Sequence, residues 1–300
     1  MFDFYLTHEY WFAAIQLGLA MLGMGATLAV SDFLKVLAAP KAVSIGLLLQ
    51  LCIVPLLALV FIKGLGLGAG IAVGIALIAS IPGGTTSNVF TYLAGGNTPL
   101  SITITGVSTV ACLFSTPIIL ELLTSNAMPD NFGMPVGQIA FEIGVCLLIP
   151  LLAGMLVNRF LPRYAEWVAK WGVRSSLFVI LLIVIGASGS GRLDMDAFGG
   201  TNASLIVGFV IVLAIVGIAV PKLLGLANKD ATAIEMEVVV RNTNLGILVN
   251  ASLFPAASGS TGDIGSTVLF ALLLYGGLQM LLALPFILRN RKHNAAAISN

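Results

Sequence analysis

Charge is scarce in this sequence. Only 9% of its 300 residues are Asp, Glu, Lys or Arg, where a soluble globular chain carries about 25%. Histidine and cysteine are scarce too. The two histidines, His8 and His293, lie at opposite ends of the chain and outside the long apolar runs. That argues against an enzyme embedded in a membrane, which would need a nucleophile–base or metal constellation. Cys52, Cys112 and Cys146 sit singly inside apolar runs. They read as buried free thiols, the sharper alternative being a soft-metal or arsenite site. No basic or aromatic-interleaved patch points to nucleic acid, and the formal net charge is +1. The first ten residues hold Asp3, His8 and Glu9, unlike the basic opening of a cleavable signal peptide.

What is abundant is apolar: 58% of the residues are hydrophobic. A transmembrane helix needs roughly 20 consecutive apolar residues, and such runs recur along the whole chain with short connections. The expected fold is an all-α polytopic membrane protein, a single transmembrane domain over residues 1–300. Nine helices are expected at 9–30, 41–63, 67–94, 98–124, 135–160, 166–190, 201–225, 230–255 and 264–289. Their connections carry turn residues: Asp32, Ala39-Pro40, Gly64 to Gly68, Asn126 to Gly133, Pro162-Arg163, Gly189 to Gly200, Asn228 to Asp230, and Ser258 to Asp263.

Cations set the direction of these spans, because cytoplasmic connections carry excess Lys and Arg. One set of helix ends holds Lys35, Lys41, Arg159, Arg163, Lys170, Arg174, Lys222, Lys229, Arg289, Arg291 and Lys292, which is eleven. The opposite set holds Lys63 and Arg192. The asymmetry places the N-terminus outside and the C-terminus in the cytoplasm, as an odd number of spans requires, in the inner (plasma) membrane of a cell.

Two spans are interrupted by polar residues. The third contains Ile81-Pro82-Gly83-Gly84-Thr85-Thr86-Ser87-Asn88 near its middle. Proline removes a donor and clashes with the preceding turn, and the residues after the glycines are helix N-cap types. The pattern reads as helix, break, helix; a simple proline kink is the alternative. The eighth span contains Glu235, Glu237, Arg241, Asn242, Thr243, Asn244 and Asn250. Ionisable groups at depth are costly and usually functional. Glu237 and Arg241 are four apart and would share a helix face, either as a structural ion pair or as part of a site. Glu235 lies nearer the cytoplasmic end and could reach the interface.

Spans two to four and seven to nine form two triplets of opposite direction, each with its middle member broken. Inverted repeats with broken helices meeting near the midplane describe secondary transporters. Half-helix N-termini there attract carboxylates, which makes Thr85, Thr86, Asn242 and Thr243 the candidate contacts for an anionic substrate. On the fourth span Ser101 and Thr105 share a face; such residues also bond back to their own helix.

These residues resemble a known family. Pro82 to Asn88, continuing as VFTYLAGGN over Val89 to Asn97, is similar to the bile acid:sodium symporters. So are Leu22-Gly23-Met24-Gly25 with Asp32-Phe33, Gln50, and EVVVRNTNL over Glu237 to Leu245. The resemblance covers nearly the whole chain in order. It implies a bacterial-type, nine-helix member that lacks the usual first helix of ten, with spans one, five and six as a panel and the rest as a core. It implies sodium-coupled uptake of organic anions by alternating access, and two sodium sites behind the crossing of the broken helices. Carried over by position, the first comprises Ser87, Asn88, Ser101, Thr105 and Glu237. The second would use Gln50, Glu237, the backbone near Val238 and Val240, and a glutamine where this chain has Arg241. An arginine has donors and no acceptor and stays charged, so it would stand in place of the second ion. One sodium ion, not two, is then expected. Asn244 also replaces a usual glycine.

The expected function is a sodium-coupled symporter of a small organic anion, bile-acid-like or a small carboxylate, working as a monomer in the lipid bilayer. The rival of the same fold is proton-coupled or sodium-independent. A channel would show a repeated pore-lining ring, against which the antiparallel triplets argue. The topology has a direct test. In a cysteine-free background, a cysteine placed at Asp263 should react with an impermeant thiol reagent applied outside, and one at Arg163 should not. The reverse pattern would invert the orientation.

Overall fold

The computed structural model describes residues 2–34, 40–125, 127–128, 132–256 and 260–296. Lys35, Ala39, Asn126 and Ser258, read above as parts of connections, lie outside the described residues, as do the side chains of Arg291, Lys292 and His293. The described chain is helical nearly throughout. α1 (Phe2–Gly25) is followed by the short α2 (Val30–Leu34). α3 (Pro40–Leu48) runs through a π-helical turn into α4 (Val54–Leu65). Then come α5 (Ala69–Ser80), α6 (Thr85–Leu93) and α7 (Thr98–Thr124). α8 (Val136–Ile143) continues through a second π-helical turn into α9 (Ile149–Phe160), before α10 (Pro162–Gly189) and α11 (Met195–Leu223). α12 (Asn228–Val239), α13 (Thr243–Leu253) and α14 (Ser260–Ala296) complete the chain.

Among the described residues, six helical stretches are long and apolar enough to cross a membrane: Pro40–Leu65, Thr98–Thr124, Val136–Phe160, Pro162–Gly189, Met195–Leu223 and Asp263–Asn290. Their outer surface is that of a protein solvated by lipid. Phe114, Phe141 and Leu281 are 67%, 71% and 73% exposed, and apolar exposure on this scale has no place on a water-facing monomer.

Local sequence explains most helix ends. Asn97 caps α7, its side chain accepting from the Leu100 amide at 3.2 Å, and Asp194 caps α11 by accepting from Asp196 and Ala197. α4 ends where Gly66 adopts φ 58°, a left-handed conformation suited to glycine. Several expected boundaries move. α1 starts at Phe2, not at residue 9, because nothing in Phe2–Glu9 breaks a helix and Asp3 suits a first turn. His8 therefore lies inside a helix, its ring bonded to the Phe4 carbonyl at 2.9 Å. Cys52 is exposed on the outer apolar surface, not buried, a setting that suits its weakly polar thiol.

The two interrupted spans are each two helices. α5 stops at Ser80 and α6 starts at Thr85; α12 stops at Val239 and α13 starts at Thr243. Their inner stretches are enclosed, Ile71 to Ser80 and Ala231 to Val239 being buried without exception. That is why α5 is apolar on every face. α5 packs on α7 and α14, and α11 on α12 and α14, while α6 meets α12. A second set is formed by α1 lying along α10 and α9. The two sets touch mainly through α1 with α13 and α7 with α8.

Small residues permit the α1 contacts. A Cβ on Gly172 would lie 2.9 Å from the Gly23 Cα, and one on Gly154 would lie 2.6 Å from the Ala26 amide nitrogen. Close backbone approach of this kind is a main source of helix association in membranes. Gly172→Val and Gly154→Val should each destabilise the protein by about 1–3 kcal/mol or more, read as a fall in thermal unfolding temperature. Gly137→Ala, in open space on α8, should be neutral or stabilising by up to ~1 kcal/mol. Equal effects at all three would contradict this packing.

Candidate functional site

The two breaks meet. Pro82 to Gly84 runs antiparallel to Val240 to Asn242, with Gly83 opposite Arg241. The Gly84 amide donates to the Val240 carbonyl at 2.9 Å, and the Asn242 amide donates to the Pro82 carbonyl at 2.9 Å. Each break thus supplies the backbone partners that the other lost when its helix ended, which answers the need to pair every buried amide. A Cβ at position 83 would lie against Glu237 Oε2 and force that carboxylate to move.

Behind this crossing sits Glu237, fully buried. Its Oε1 accepts from Ser101 Oγ at 2.6 Å, from Thr105 Oγ1 at 2.6 Å and from Ser87 Oγ. Asn88 Oδ1 lies 2.8 Å from Ser101 Oγ and 3.1 Å from Thr105 Oγ1. The five residues named from the resemblance, on α6, α7 and α12, therefore surround one point. Each hydroxyl has one proton but faces more than one acceptor. Ser87 also reaches the Gly84 carbonyl, and Thr105 the Ser101 carbonyl. An enclosed cluster with more acceptor oxygens than protons is suited to a hard cation, which takes oxygen ligands.

Gln50, on the π-helical turn after α3, joins Glu237 to Arg241. Its Nε2 donates to Glu237 Oε2 at 3.2 Å, while its Oε1 accepts from the Gly83 amide at 2.9 Å and from Arg241 Nη1 at 3.4 Å. Arg241 Nη2 donates to the Ala79 carbonyl at 3.1 Å. Glu237 and Arg241 do not form the direct pair that their spacing suggests. Among the described residues the ion pairs within 4.0 Å are Arg192–Glu9 and Arg289–Glu235. The helix ends at Val239, and Val240 is extended (φ −96°, ψ 95°), so the i, i+4 relation does not apply across it. Val238 and Val240 are both buried, and the Val240 carbonyl already accepts from Gly84.

A cavity of about 610 Å³ opens beside the crossing. Thr85, Thr86, Asn242 and Thr243 all line it, together with Arg241 and Asn244. Asn242 also caps α13, its Oδ1 accepting from the Leu245 amide at 3.4 Å. The opposite wall comes from α1 and α10, where Gln16 donates to Ser176 at 3.0 Å. The cavity therefore lies between the two helix sets.

Sequence reasoning missed two groups that hold the crossing. Gln279 on α14 accepts from the Arg241 amide at 2.8 Å and donates to its carbonyl at 3.3 Å. Tyr275 donates to the Val239 carbonyl at 2.7 Å. A buried amide in the run Leu278 to Leu282 was the available signal. Glu235 is enclosed and pairs with Arg289 at 2.6 Å, so its partner, not Glu235 itself, reaches the surface. Among the described residues no cluster of three or more His, Cys, Asp or Glu forms.

The model of the sodium bile acid symporter family matches residues 14–192. An uncharacterized sodium-dependent transporter of Bacillus subtilis (strain 168) is 32% identical over 85% of this chain and 78% of its own length. The chain belongs to the sodium bile acid symporter family. Membership makes it a membrane transporter and not an enzyme. A protein of Oryza sativa subsp. japonica, described as a probable chloroplastic sodium/metabolite cotransporter, is 29% identical over 78% of this chain and 55% of its own length. A sodium-dependent organic anion transporter of Bos taurus is 30% identical over 65% and 50%. The chain thus spans about half the length of these last two relatives. The matched region of the family model ends before Glu237 and Arg241, so the oxygen cluster rests on geometry.

Gln279→Leu would strand the Arg241 amide, while the Arg241 carbonyl keeps the Thr243 amide at 2.9 Å. A buried polar group without its partner costs about 1–3 kcal/mol, so the variant should unfold at a clearly lower temperature than the wild type. An unchanged unfolding temperature would show that α14 does not hold the crossing.

Proposed function

We propose that this chain is a sodium-coupled symporter that moves a small organic anion by alternating access. The observation that carries the reading is the convergence of Ser87, Asn88, Ser101 and Thr105 on the single enclosed carboxylate of Glu237. One carboxylate among neutral oxygens matches a monovalent ion, because in a medium of low dielectric the charges must balance locally. With sodium bound, the hydroxyls turn their protons to the surrounding carbonyls and offer lone pairs to the ion. The substrate occupies the cavity at Thr85, Thr86, Asn242 and Thr243, where the start of α13 offers backbone donors to an anion.

Arg241 takes the place of a second ion. Its guanidinium is held by Gln50 and the Ala79 carbonyl on one side and borders the cavity on the other. It balances the crossing and favours an anionic substrate. The rival of the same fold, coupled to protons or to no ion, draws on this same fixed cation. The whole assembly comprises nine spans: the six long stretches, α1 and the two broken pairs. The α3–α7 and α11–α14 segments form inverted repeats of a core, and α1 with α8–α10 forms a panel. The N-terminus lies outside, the C-terminus lies in the cytoplasm of a cell bounded by this membrane, and the working unit is a monomer.

Thermal stabilisation of the purified protein by sodium, relative to choline, tests the ion site. Glu237→Gln should remove most of it. Ser101→Ala and Thr105→Ala should each weaken the sodium affinity about tenfold, the equivalent of one lost ligand contact. Circular dichroism must show that Glu237→Gln remains folded. Full sodium stabilisation of that folded variant would reject the site. For the substrate, Asn242→Ala should weaken anion binding, and Asn242→Ser, which keeps the helix cap, should weaken it too. Unchanged anion uptake and binding in Asn242→Ser would place the substrate elsewhere.

A further inference from the structure

A second buried carboxylate cluster lies away from the crossing, at the helix ends opposite the lysine- and arginine-rich connections. A pocket of about 320 Å³ is lined by Glu9 of α1, Glu142 of α8 and Ser252 of α13, among others. Glu9 and Glu142 are only 5% and 7% exposed. Glu142 Oε1 accepts from Ser252 Oγ at 2.7 Å and from Gln138 Nε2 at 3.0 Å, and Gln138 also donates to Ser252 at 3.0 Å. Glu9 Oε1 pairs with Arg192, which in turn donates from Nε to Ser266 at 3.1 Å. The remaining oxygen of Glu142, Oε2, makes no hydrogen bond, while Glu9 also accepts from the Ala256 backbone amide.

The charges do not balance. Arg192 offsets Glu9, but no cation of the described residues pairs with Glu142. Its neighbours Gln138 and Ser252 are neutral. A buried carboxylate without a compensating charge is costly, and here Glu142, with one unpartnered oxygen, lines the same small space as Glu9. We propose that this pocket is a site for a monovalent hard cation of the sodium type, held by Glu142 Oε2, Glu9 Oε2 and the Ser252 hydroxyl. One positive charge closes the balance of two carboxylates and one guanidinium, whereas a divalent ion would leave an excess. Because its ligands come from α1 and α8 on one side and α13 on the other, the bound ion ties the two helix sets together at this end. The site is distinct from the Glu237 cluster and shares no residue with it.

The test uses the full chain in lipid nanodiscs with sodium chloride or choline chloride as the probe, at constant ionic strength. Glu237→Gln should keep a residual sodium-dependent rise in unfolding temperature, and the double variant Glu237→Gln/Glu142→Gln should have none. A rise that persists in the double variant, or is already missing in folded Glu237→Gln, overturns the proposal. A response to calcium but not to sodium also overturns it. If Glu237→Gln fails to fold, sealed vesicles give a second reading from a cysteine placed at Thr7, at the mouth of the pocket. Sodium should slow its reaction with an impermeant thiol reagent severalfold in the otherwise wild-type chain, and not when Glu142→Gln or Ser252→Ala is added. Equal slowing in all three overturns the site. Sodium stabilisation lost in Glu142→Gln but intact in Glu237→Gln would reject the crossing as the ion site while leaving this one standing.

Discussion

Glu237 is fully buried, and the structure around the crossing follows from that. A carboxylate enclosed in protein must be met by donors or by a cation. Here one of its oxygens faces three hydroxyls and the other faces Gln50. To bring those groups from α6, α7 and the turn after α3 to one place, α5 and α12 must both end beside it. Ending them frees backbone groups, and the antiparallel contact of Gly83 with Arg241 pairs those groups again. Irregular backbone at depth is tolerated in membrane proteins only where it is enclosed like this or lines a cavity. The crossing does both: one side holds the oxygen cluster, and the other borders the cavity.

The same constraint explains Arg241. It is among the largest side chains buried in the molecule, and a buried guanidinium needs several acceptors. It has Gln50 and the Ala79 carbonyl, while its Nε makes no hydrogen bond. Gln50 therefore serves both charges, donating to Glu237 and accepting from Arg241. The acid and the base are coupled through one neutral amide, without touching. Gln50 thus links the Glu237 cluster to Arg241, which lines the cavity.

Much of this was legible in the sequence, for definite reasons. Pro82-Gly83-Gly84 cannot continue a helix, so the break between α5 and α6 was readable from residue chemistry alone. The fourth span ran from Thr98 to Thr124 as expected because Asn97 and Pro99 mark its start. The break at Val240 was less readable: Val238, Val239 and Val240 carry no breaker, and polar content stood in for one. For that reason the spacing of Glu237 and Arg241 was misjudged as one helix face. The convergence of Ser101, Thr105 and Asn88 on Glu237 is a tertiary fact, and without the family resemblance Ser101 and Thr105 were equally readable as residues bonding to their own helix. Buried pairs such as Glu9–Arg192 were hidden because both partners lie near span ends, where a charge is ordinarily solvated. Nothing in one sequence says which terminal charge will be covered.

The central claim is that Glu237 carries an exchangeable sodium ion while Arg241 permanently occupies the position of a second. Sodium-dependent anion binding, measured as a function of sodium concentration in the wild type and in Arg241→Gln, tests it most directly. Glutamine removes the fixed charge and supplies a carbonyl oxygen able to ligate sodium. The account predicts a hyperbolic dependence in the wild type, with a Hill coefficient near one, and a second, cooperative sodium requirement in Arg241→Gln. Two cooperative sodium ions in the wild type, or no dependence on sodium at all, would contradict it.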